Sequence, residues 1–153
     1  MPATQHQTLC KAERLSGKKQ VDTLFSGGAG RSMSIFPIRL VYVIHASTGD
    51  PKEPQAKMMV SVSKRYFKHA VQRNRVKRQL REAYRRNKHL LLDTLAQHPD
   101  AQVLMAFIWT SDQTAPSADV ESRMKRLLLR LGEKTTATLC KASDNSQSTS
   151  HEP

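Results

Sequence analysis

The chain is poor in cysteine, in aromatic residues and in acidic residues, and it contains no long apolar run. Its 153 residues include 2 cysteines and 1 tryptophan, and 13 acidic side chains stand against 25 lysines and arginines. Every apolar stretch falls short of the roughly 18 residues that cross a bilayer, so no membrane-spanning helix is predicted. The polar residues up to Cys10 also lack the apolar segment of a secretory signal. These absences predict one domain that works in the cytoplasm without a membrane partner.

Cys10 and Cys140 lie near opposite ends of the sequence and leave two interpretations open. They form a disulfide, or they are two reduced thiols in a cytosolic protein; a chain large enough to have its own core favours the second. No cluster of cysteine and histidine has the spacing of a zinc site, so no metal site is predicted in the protein. His45, His69 and His89 are far apart and have no motif around them, so no catalytic residue is predicted either.

Composition divides the chain into three segments. Residues 1–12 predict a flexible N-terminal arm, residues 13–139 a single domain, and residues 140–153, with several Ser, Asn and Gln, a disordered tail. Hydrophobic periodicity and the positions of Gly and Pro predict helices over 14–25, 70–97 and 120–139, and strands over 36–44, 57–64 and 102–109. This succession predicts an α/β fold, more closely an α+β two-layer sandwich with helices packed on a small sheet.

The first two of these strands differ in the composition of their faces. In strand 36–44 both alternating faces are largely apolar, which predicts that one face is covered completely and the other in part. In strand 57–64, Met58, Val60 and Val62 form an apolar face. The opposite face is polar enough to meet solvent or a ligand, and it consists of Met59, Ser61 and Ser63.

Positive charge is concentrated in residues 64–88. This segment holds eleven lysines and arginines and one acid, Glu82, which gives it +10 of the chain's net charge of +12. At about 100° per residue, the apolar side chains of its helix fall on one line, formed by Val76, Leu80, Ala83 and Tyr84. A second line, roughly 140° away, is the basic stripe, which we define as Asn74, Arg78, Arg81 and Arg85. Arg75 and Arg86 widen the basic stripe on one side, and Lys77 borders it on the other.

The basic stripe is read best as a surface for nucleic acid. A solvated helix face usually mixes charges of both signs at spacings of three and four residues, whereas this one has only Glu82 to offset its repulsion. The arginine fork donates two parallel hydrogen bonds to phosphate, which suits a polyanionic partner. An amphipathic helix on a membrane is the other interpretation, but the apolar face has no large aromatic side chains to insert and is needed for the core.

Three runs of residues resemble the signature of the ribonuclease P protein component. They are VSVSKR at 60–65, AVQRNRVKR at 70–78 and LRE at 80–82. In that family a strand ending in Ser-Lys-Lys/Arg leads into a helix that opens with Ala-Val-x-Arg-Asn-Arg-x-Lys-Arg. The resemblance extends to Arg14, Leu15 and Phe25, and to the late strand and last helix, so it covers about residues 13–135. Lys68 stands where the family often has glycine.

The resemblance implies a function and a fold. The family is not itself a nuclease; it binds a catalytic RNA, and the two together remove the 5′ leader from precursor tRNA. The chemistry uses Mg²⁺ bound mainly by the RNA, and no further protein partner is obligatory. The implied fold has the order αβββαβα with a mainly antiparallel sheet and a left-handed crossover into the basic helix. A cleft between the sheet and the first helix takes the single-stranded leader.

The resemblance and the charge pattern together give two sets of site residues. The residues expected to bind the catalytic RNA are Arg65, Lys68, Arg73, Asn74, Arg75, Lys77, Arg78, Arg81 and Arg85. The residues expected to bind the leader are Arg14, Phe25, Phe36, Arg39, Tyr42, Ser61, Ser63 and Lys64.

Several of these residues have a structural alternative, and so does the function. Each of Phe25, Phe36 and Tyr42 is either a stacking platform for a base or part of the core. Ser63 is a phosphate ligand or an ordinary turn serine, and Asn74 contacts RNA or holds the loop before its helix. The alternative function is a ribosomal-type or assembly protein that binds RNA without a role in cleavage.

Overall fold

A computed structural model describes residues 13–15, 21, 22, 24, 25, 30–46 and 54–148, and for residues 45, 46 and 141–148 it describes the backbone. The strands are β1 (Arg31–Ile35), β2 (Ile38–Ala46), β3 (Ala56–Val62) and β4 (Ala101–Trp109). The helices are α1 (Ala70–Asn87), α2 (His89–Leu95) and α3 (Ser117–Ser148). Residues 21, 22, 24 and 25 are also helical and belong to the N-terminal helical segment. The predicted arm over 1–12 lies outside the described residues.

The four strands form one mixed sheet in the order β1-β2-β4-β3. The pairs β1–β2 and β2–β4 are antiparallel, whereas β3 and β4 are parallel neighbours joined through α1 and α2. A parallel pair needs such a crossover because its second strand must start at the same end as its first. The predicted α/β sandwich is therefore confirmed, and the crossover leads from β3 into the basic helix.

Strand β2 corresponds to the predicted strand over 36–44 but begins two residues later, at Ile38. The reason is that β2 is the second strand of a hairpin with β1. Phe36 and Pro37 form the turn between β1 and β2, and Ile35 pairs with Ile38 across it. Proline has no N–H for a sheet ladder and favours a turn. The predicted helix over 14–25 begins too early. Arg14 is extended there, because it forms an isolated parallel bridge with Met58.

The predicted helix over 70–97 is divided at Lys88. Helix α1 ends at Asn87, whose Nδ2 donates to the carbonyl of Ala83 at 2.9 Å. The buried Lys88 follows, and its carbonyl accepts from the N–H of Leu91 at 3.1 Å as α2 begins. A short second helix therefore begins at His89, after the single intervening residue Lys88.

Helix α3 is longer than predicted at both ends. It runs from Ser117 to Ser148, whereas the sequence predicts a helix over 120–139 and disorder from residue 140. Residues 140–148 thus belong to α3. No glycine or proline occurs between Gly132 and Pro153 to stop the helix earlier.

Both faces of the sheet are covered, as strand 36–44 predicts. The main core lies between the sheet and helices α1–α3. The side chains that α1 contributes are those of the predicted apolar line, Val76, Leu80, Ala83 and Tyr84. A second cluster lies on the opposite face, where the N-terminal residues Leu15 and Leu24 pack on the two central strands. That cluster also includes Val41, Val43, Leu104 and Ala106. Burial of apolar surface on both sides stabilises the central strands and leaves the outer side of α1 free.

Candidate nucleic-acid interface

The basic stripe of α1 points away from the core. Asn74, Arg78 and Arg81 are exposed, and Arg85 is partly exposed. Arg75 is exposed beside them. Neither Arg75, Arg78 nor Arg81 forms an ion pair with any residue that the structure describes. The amphipathic pattern of α1 therefore presents unpaired guanidinium groups to solvent, as an interface for phosphate requires.

Glu82 partly neutralises the positive charge at the C-terminal end of the basic stripe. The Nε of Arg85 donates to Glu82 Oε2 at 3.0 Å, and the Nε of Arg86 lies 3.3 Å from Glu82 Oε1. The hydrogen bond from Arg85 holds the pKa of the Glu82 carboxyl below its usual value, and the same bond raises the pKa of Arg85. Arg86 also lies 3.5 Å from Glu121 on α3. Among the described residues Arg78 and Arg81 therefore have no acidic partner, whereas Arg85 and Arg86 share one.

Arg73 fastens the loop that leads into α1. Its Nη1 donates to the carbonyls of Phe67 and Lys68 at 2.8 and 2.9 Å. Asn74 is exposed and forms no such bond within the described part of the chain, so the alternative in which Asn74 holds this loop is wrong. Lys68 is exposed at the position where the family often has glycine. No non-glycine residue in the described ranges has a positive φ, so Lys68 adopts ordinary backbone geometry.

The turn after β3 brings further cations to the same end of α1. The Oγ of Ser63 accepts from the N–H of Arg65 at 3.1 Å, and its carbonyl accepts from the N–H of Tyr66 at 3.2 Å. Ser63 is thus a turn serine, and it is also exposed. The turn leaves Lys64 and Arg65 exposed, while the buried Phe67 anchors it to the core.

Four side chains line up across the sheet face opposite α1–α3. Arg39 pairs with Ser34 on one side and Ile108 on the other, and Ile108 pairs with Ser61. Residues in register share one face of a sheet, so these side chains form a row, which we call the open row. Leu15 and Leu24 cluster with Val41, Val43, Leu104 and Ala106, which lie in the neighbouring rows, and Ile108 packs against this cluster. In the same row Ser34 and Arg39 are exposed. The open row is therefore the part of this face that a ligand reaches.

The open row contains two of the predicted leader residues, Arg39 and Ser61, and three others flank it. Ser63 and Lys64 follow directly after β3, two and three residues beyond Ser61. Phe36 lies in the turn before Ile38 at the same end of the sheet, and its side chain is 67% exposed. The structure therefore gathers Phe36, Arg39, Ser61, Ser63 and Lys64 at one end of the sheet. Sequence reasoning missed Ser34 and Ile108, because strand register has no local signal.

Three predicted leader residues lie elsewhere. Tyr42 is 3% exposed and belongs to the main core, on the face that the helices cover. Its placement in the leader site is therefore wrong, and burial raises the pKa of its hydroxyl. Arg14 is exposed and pairs with Met58. Met58 is three residues before Ser61 on β3, so the rise of about 3.3 Å per residue puts about 10 Å between them. Phe25 is half-exposed on the N-terminal helical segment, next to the buried Leu24.

The other candidates for chemistry do not converge. Within the described ranges, no three His, Cys, Asp or Glu side chains form a group that holds a metal ion. His69 precedes α1 and His89 opens α2, so the 18 residues of α1 separate them by about 27 Å. Cys140 is exposed, and Cys10 lies outside the described residues. None of the described helices has an apolar stretch that would cross a membrane.

A two-layer α/β sandwich with an exposed arginine face on one side, and an open row of three polar side chains and one isoleucine on the other, is the architecture of an RNA-binding protein. The model of the family described as Ribonuclease P matches residues 9–132. A ribonuclease P protein component from Porphyromonas gingivalis is 38% identical over 133 residues, which are 87% of this chain and 93% of the relative. One from Chlorobaculum tepidum is 34% identical over 78% of this chain and 82% of the relative.

A solved structure shares the fold. The RNase P protein from Thermotoga maritima aligns with a TM-score of 0.57 at 20% identity, covering 77% of this chain and 96% of that one. The chain belongs to the ribonuclease P protein family, whose role is tRNA 5′ processing.

Proposed function

We propose that this chain is the non-catalytic subunit of a ribonuclease P in the cytoplasm. It binds the catalytic RNA through the basic stripe and the 5′ leader of precursor tRNA through the open row. Cleavage of the leader is carried out by the RNA, with Mg²⁺ bound mainly by that RNA. No other protein is needed for this activity. Family membership favours this function over that of a ribosomal-type or assembly protein.

The observation that carries the proposal is the position of the two surfaces on opposite faces of one sheet. The basic stripe lies on the outer side of α1, which packs with α3 over the face that includes Ile38 and Leu40. The open row lies on the other face, with Arg39. A protein with two RNA-binding faces, one for each partner, holds a substrate strand against a large RNA without blocking either contact.

The chemistry of each surface suits its proposed partner. Folded RNA presents a dense array of phosphates, and Arg78 and Arg81 offer unpaired forks to it. A single-stranded leader offers bases and phosphates together, and such strands are held by a basic groove with an aromatic platform. Phe36 supplies the exposed aromatic ring, and Arg39 and Lys64 supply the cations.

Reconstitution tests the proposal. Precursor tRNA is incubated with the RNA subunit alone, with the full chain alone, and with both, at a magnesium concentration too low for the RNA by itself. We expect leader cleavage only with both, because the protein supplies binding and charge neutralisation. Cleavage by the chain without RNA would overturn the assignment of the chemistry to the RNA.

A second measurement separates the proposed function from the ribosomal alternative. RNA that co-purifies with the full chain is sequenced, and the chain carrying both Arg78→Gln and Arg81→Gln is the matched control. We expect the ribonuclease P RNA to be enriched and the double variant to lose it. Enrichment of ribosomal RNA instead would favour the alternative.

A further inference from the structure

Helix α3 has its own line of basic residues, which takes no part in the surfaces described above. Its members are spaced at i, i+3, i+7 and i+11, so at about 100° per residue they fall within an arc of about 80° and span about 16 Å along the axis. Three are exposed and the first is partly exposed. We call this surface the α3 flank and define it as Arg123, Arg126, Arg130 and Lys134.

The four cations of the α3 flank are not held by ion pairs with described residues. None of its four residues forms an ion pair or a hydrogen bond with a side chain in the part of the chain that the structure describes. Glu121 is on another side of the helix, where its Oε2 lies 3.5 Å from Arg86 Nη1 and its Oε1 accepts from Asn87 Nδ2 at 3.5 Å. Asp119 and Glu133 also lie near this line on the helix, so this side of α3 carries four bases against two acids. The excess of positive charge favours a polyanion.

The α3 flank and the basic stripe face different directions. Glu121 marks the side of α3 toward α1, and it is about 170° around the helix from the centre of the α3 flank. Helix α1 packs on β3, whereas α3 packs on β1 and β2 at the other side of the sheet. The α3 flank therefore lies above the edge strand β1.

Arg31 adds a fifth cation on this side of the molecule. It pairs with Tyr42 across the β1–β2 ladder and so lies on the helix-covered face of the sheet. It is exposed because β1 is the edge strand. A residue from the sheet and four from α3 thus present positive charge on the same side, although they are far apart in the sequence.

We propose that the α3 flank binds the phosphate backbone of the RNA subunit, at a segment separate from the one bound by the basic stripe. This inference rests on the proposed function. The α3 flank belongs to the helix layer, on the opposite side of the sheet from the open row, so the RNA subunit reaches it while the leader occupies the other face. The family model ends at residue 132, so Lys134 and the rest of α3 lie beyond the part of the chain that it matches.

The test measures binding of the full chain to the RNA subunit alone, without substrate, at several salt concentrations. The variant carries Arg123→Gln, Arg126→Gln and Arg130→Gln. Each lost phosphate contact lowers the slope of log K against log salt by about 0.7 to 0.9, so we expect a slope smaller by about 2. The dissociation constant should rise at least tenfold at roughly 0.1 M salt. Thermal stability should stay the same, because these side chains are exposed or partly exposed and form no ion pair within the described ranges.

Two controls separate a local contact from a general effect of charge. The triple variant with lysine at the same three positions keeps the charge, and we expect it to keep most of the salt slope. Lys125→Gln removes one charge from the side of α3 nearer α1, and it is compared with the single variant Arg130→Gln. Equal losses from these two single variants would mean that net charge, and not the α3 flank, governs binding, and would overturn the proposal.

The remaining outcomes are also decisive. A wild-type slope for the glutamine variant would overturn the proposal, and so would a loss confined to precursor tRNA, because the α3 flank would then bind a different RNA. If the Arg78→Gln and Arg81→Gln double variant weakens binding but the α3 variant does not, the proposed function stands and only this inference fails. If neither weakens binding, both fail.

Discussion

Lys88 Nζ donates to both carboxylate oxygens of Glu13, at 3.0 and 3.1 Å, across 75 residues of sequence. The side chains are 8% and 15% exposed, so the pair is largely shielded from water. The pair ties the N-terminal segment to the junction of α1 and α2, while the N–H of Leu15 donates to the carbonyl of Met58 at 2.7 Å. Lys88 is the last residue of the basic segment 64–88, yet its ammonium group forms an ion pair inside the protein.

Lys88→Met should destabilise the fold by about 3 kcal/mol, because it removes the buried ammonium group that donates to both oxygens of the shielded Glu13 carboxylate. Urea unfolding measures the loss, and Lys64→Met, at an exposed lysine, is the matched control. The double variant Glu13→Leu, Lys88→Met should recover most of the stability, since two apolar side chains replace a shielded ion pair at little cost. Lys88→Met should also leave the salt slope of RNA binding unchanged. A slope reduced as far as in Arg78→Ala would show that Lys88 reaches the RNA.

Arg73→Ala and Arg78→Ala should both weaken RNA binding, but only the first should also lower stability. Arg73 donates to the carbonyls of Phe67 and Lys68, and hydrogen bonds from a charged group contribute about 1.5 to 3 kcal/mol. Arg78 is exposed and forms no ion pair with the residues that the structure describes, so its loss should change the free energy of unfolding by less than about 0.5 kcal/mol. Parallel salt titrations and chemical unfolding of the two variants measure both quantities. Equal stability of the two variants would contradict the role of Arg73 in fastening the loop.

Glu82→Gln should strengthen RNA binding, the opposite sign from the arginine substitutions. It releases Arg85 and Arg86 from their shared carboxylate and raises the net charge of the helix face by one. We expect affinity for RNA to rise about twofold to fivefold at low salt and the salt slope to steepen by up to one contact. Weaker binding would mean that Glu82 orients Arg85 for its contact with phosphate.

The pH dependence of the Glu82–Arg85 pair has a definite sign. The pKa of Glu82 in the folded chain lies below the usual 4.5, so the pair stabilises the fold fully above about pH 4.5 and loses its contribution as pH falls through the lowered value. Titration of Glu82 should therefore leave RNA affinity unchanged between about pH 6 and 8. Isothermal binding measurements across this range, on the wild type and Glu82→Gln, compare the two profiles directly. A difference that grows toward pH 6 would contradict the lowered pKa.

Phe36→Ala should weaken binding of a single-stranded leader without a loss of stability. Its ring is mostly exposed, and removal of one base-stacking platform costs about 1 to 3 kcal/mol of binding. Tyr42→Phe is the control at a residue that the sequence groups with Phe36, and it should leave leader affinity unchanged because the ring is buried under the helices. Substrates with a long leader and with no leader, compared in the holoenzyme, measure the effect. A loss for both substrates would place Phe36 outside the leader site.

The sequence by itself determined the α/β class, the two apolar faces of β2, the buried line of α1 and the exposed basic stripe. These features follow from local periodicity: a repeat of 3.6 or 2 residues states which side chains share a face, whatever the element packs against. The charge of residues 64–88 is equally local. The motif that resembles the ribonuclease P signature overlaps this segment, so the sequence alone predicts the function.

Tertiary structure decided the features that depend on partners far away in the sequence. The register of β2, β4 and β3 places Arg39 beside Ile108 and Ser61, and it sends Tyr42 to the covered face. In the sequence Lys88 is indistinguishable from the exposed cations before it, and only the tertiary structure shows its ion pair with Glu13. The α3 flank is visible as a separate surface only once α3 is placed over β1 and β2. Strand register, buried pairs and the direction of a helix face all arise from packing between distant segments, and no local pattern of residues encodes them.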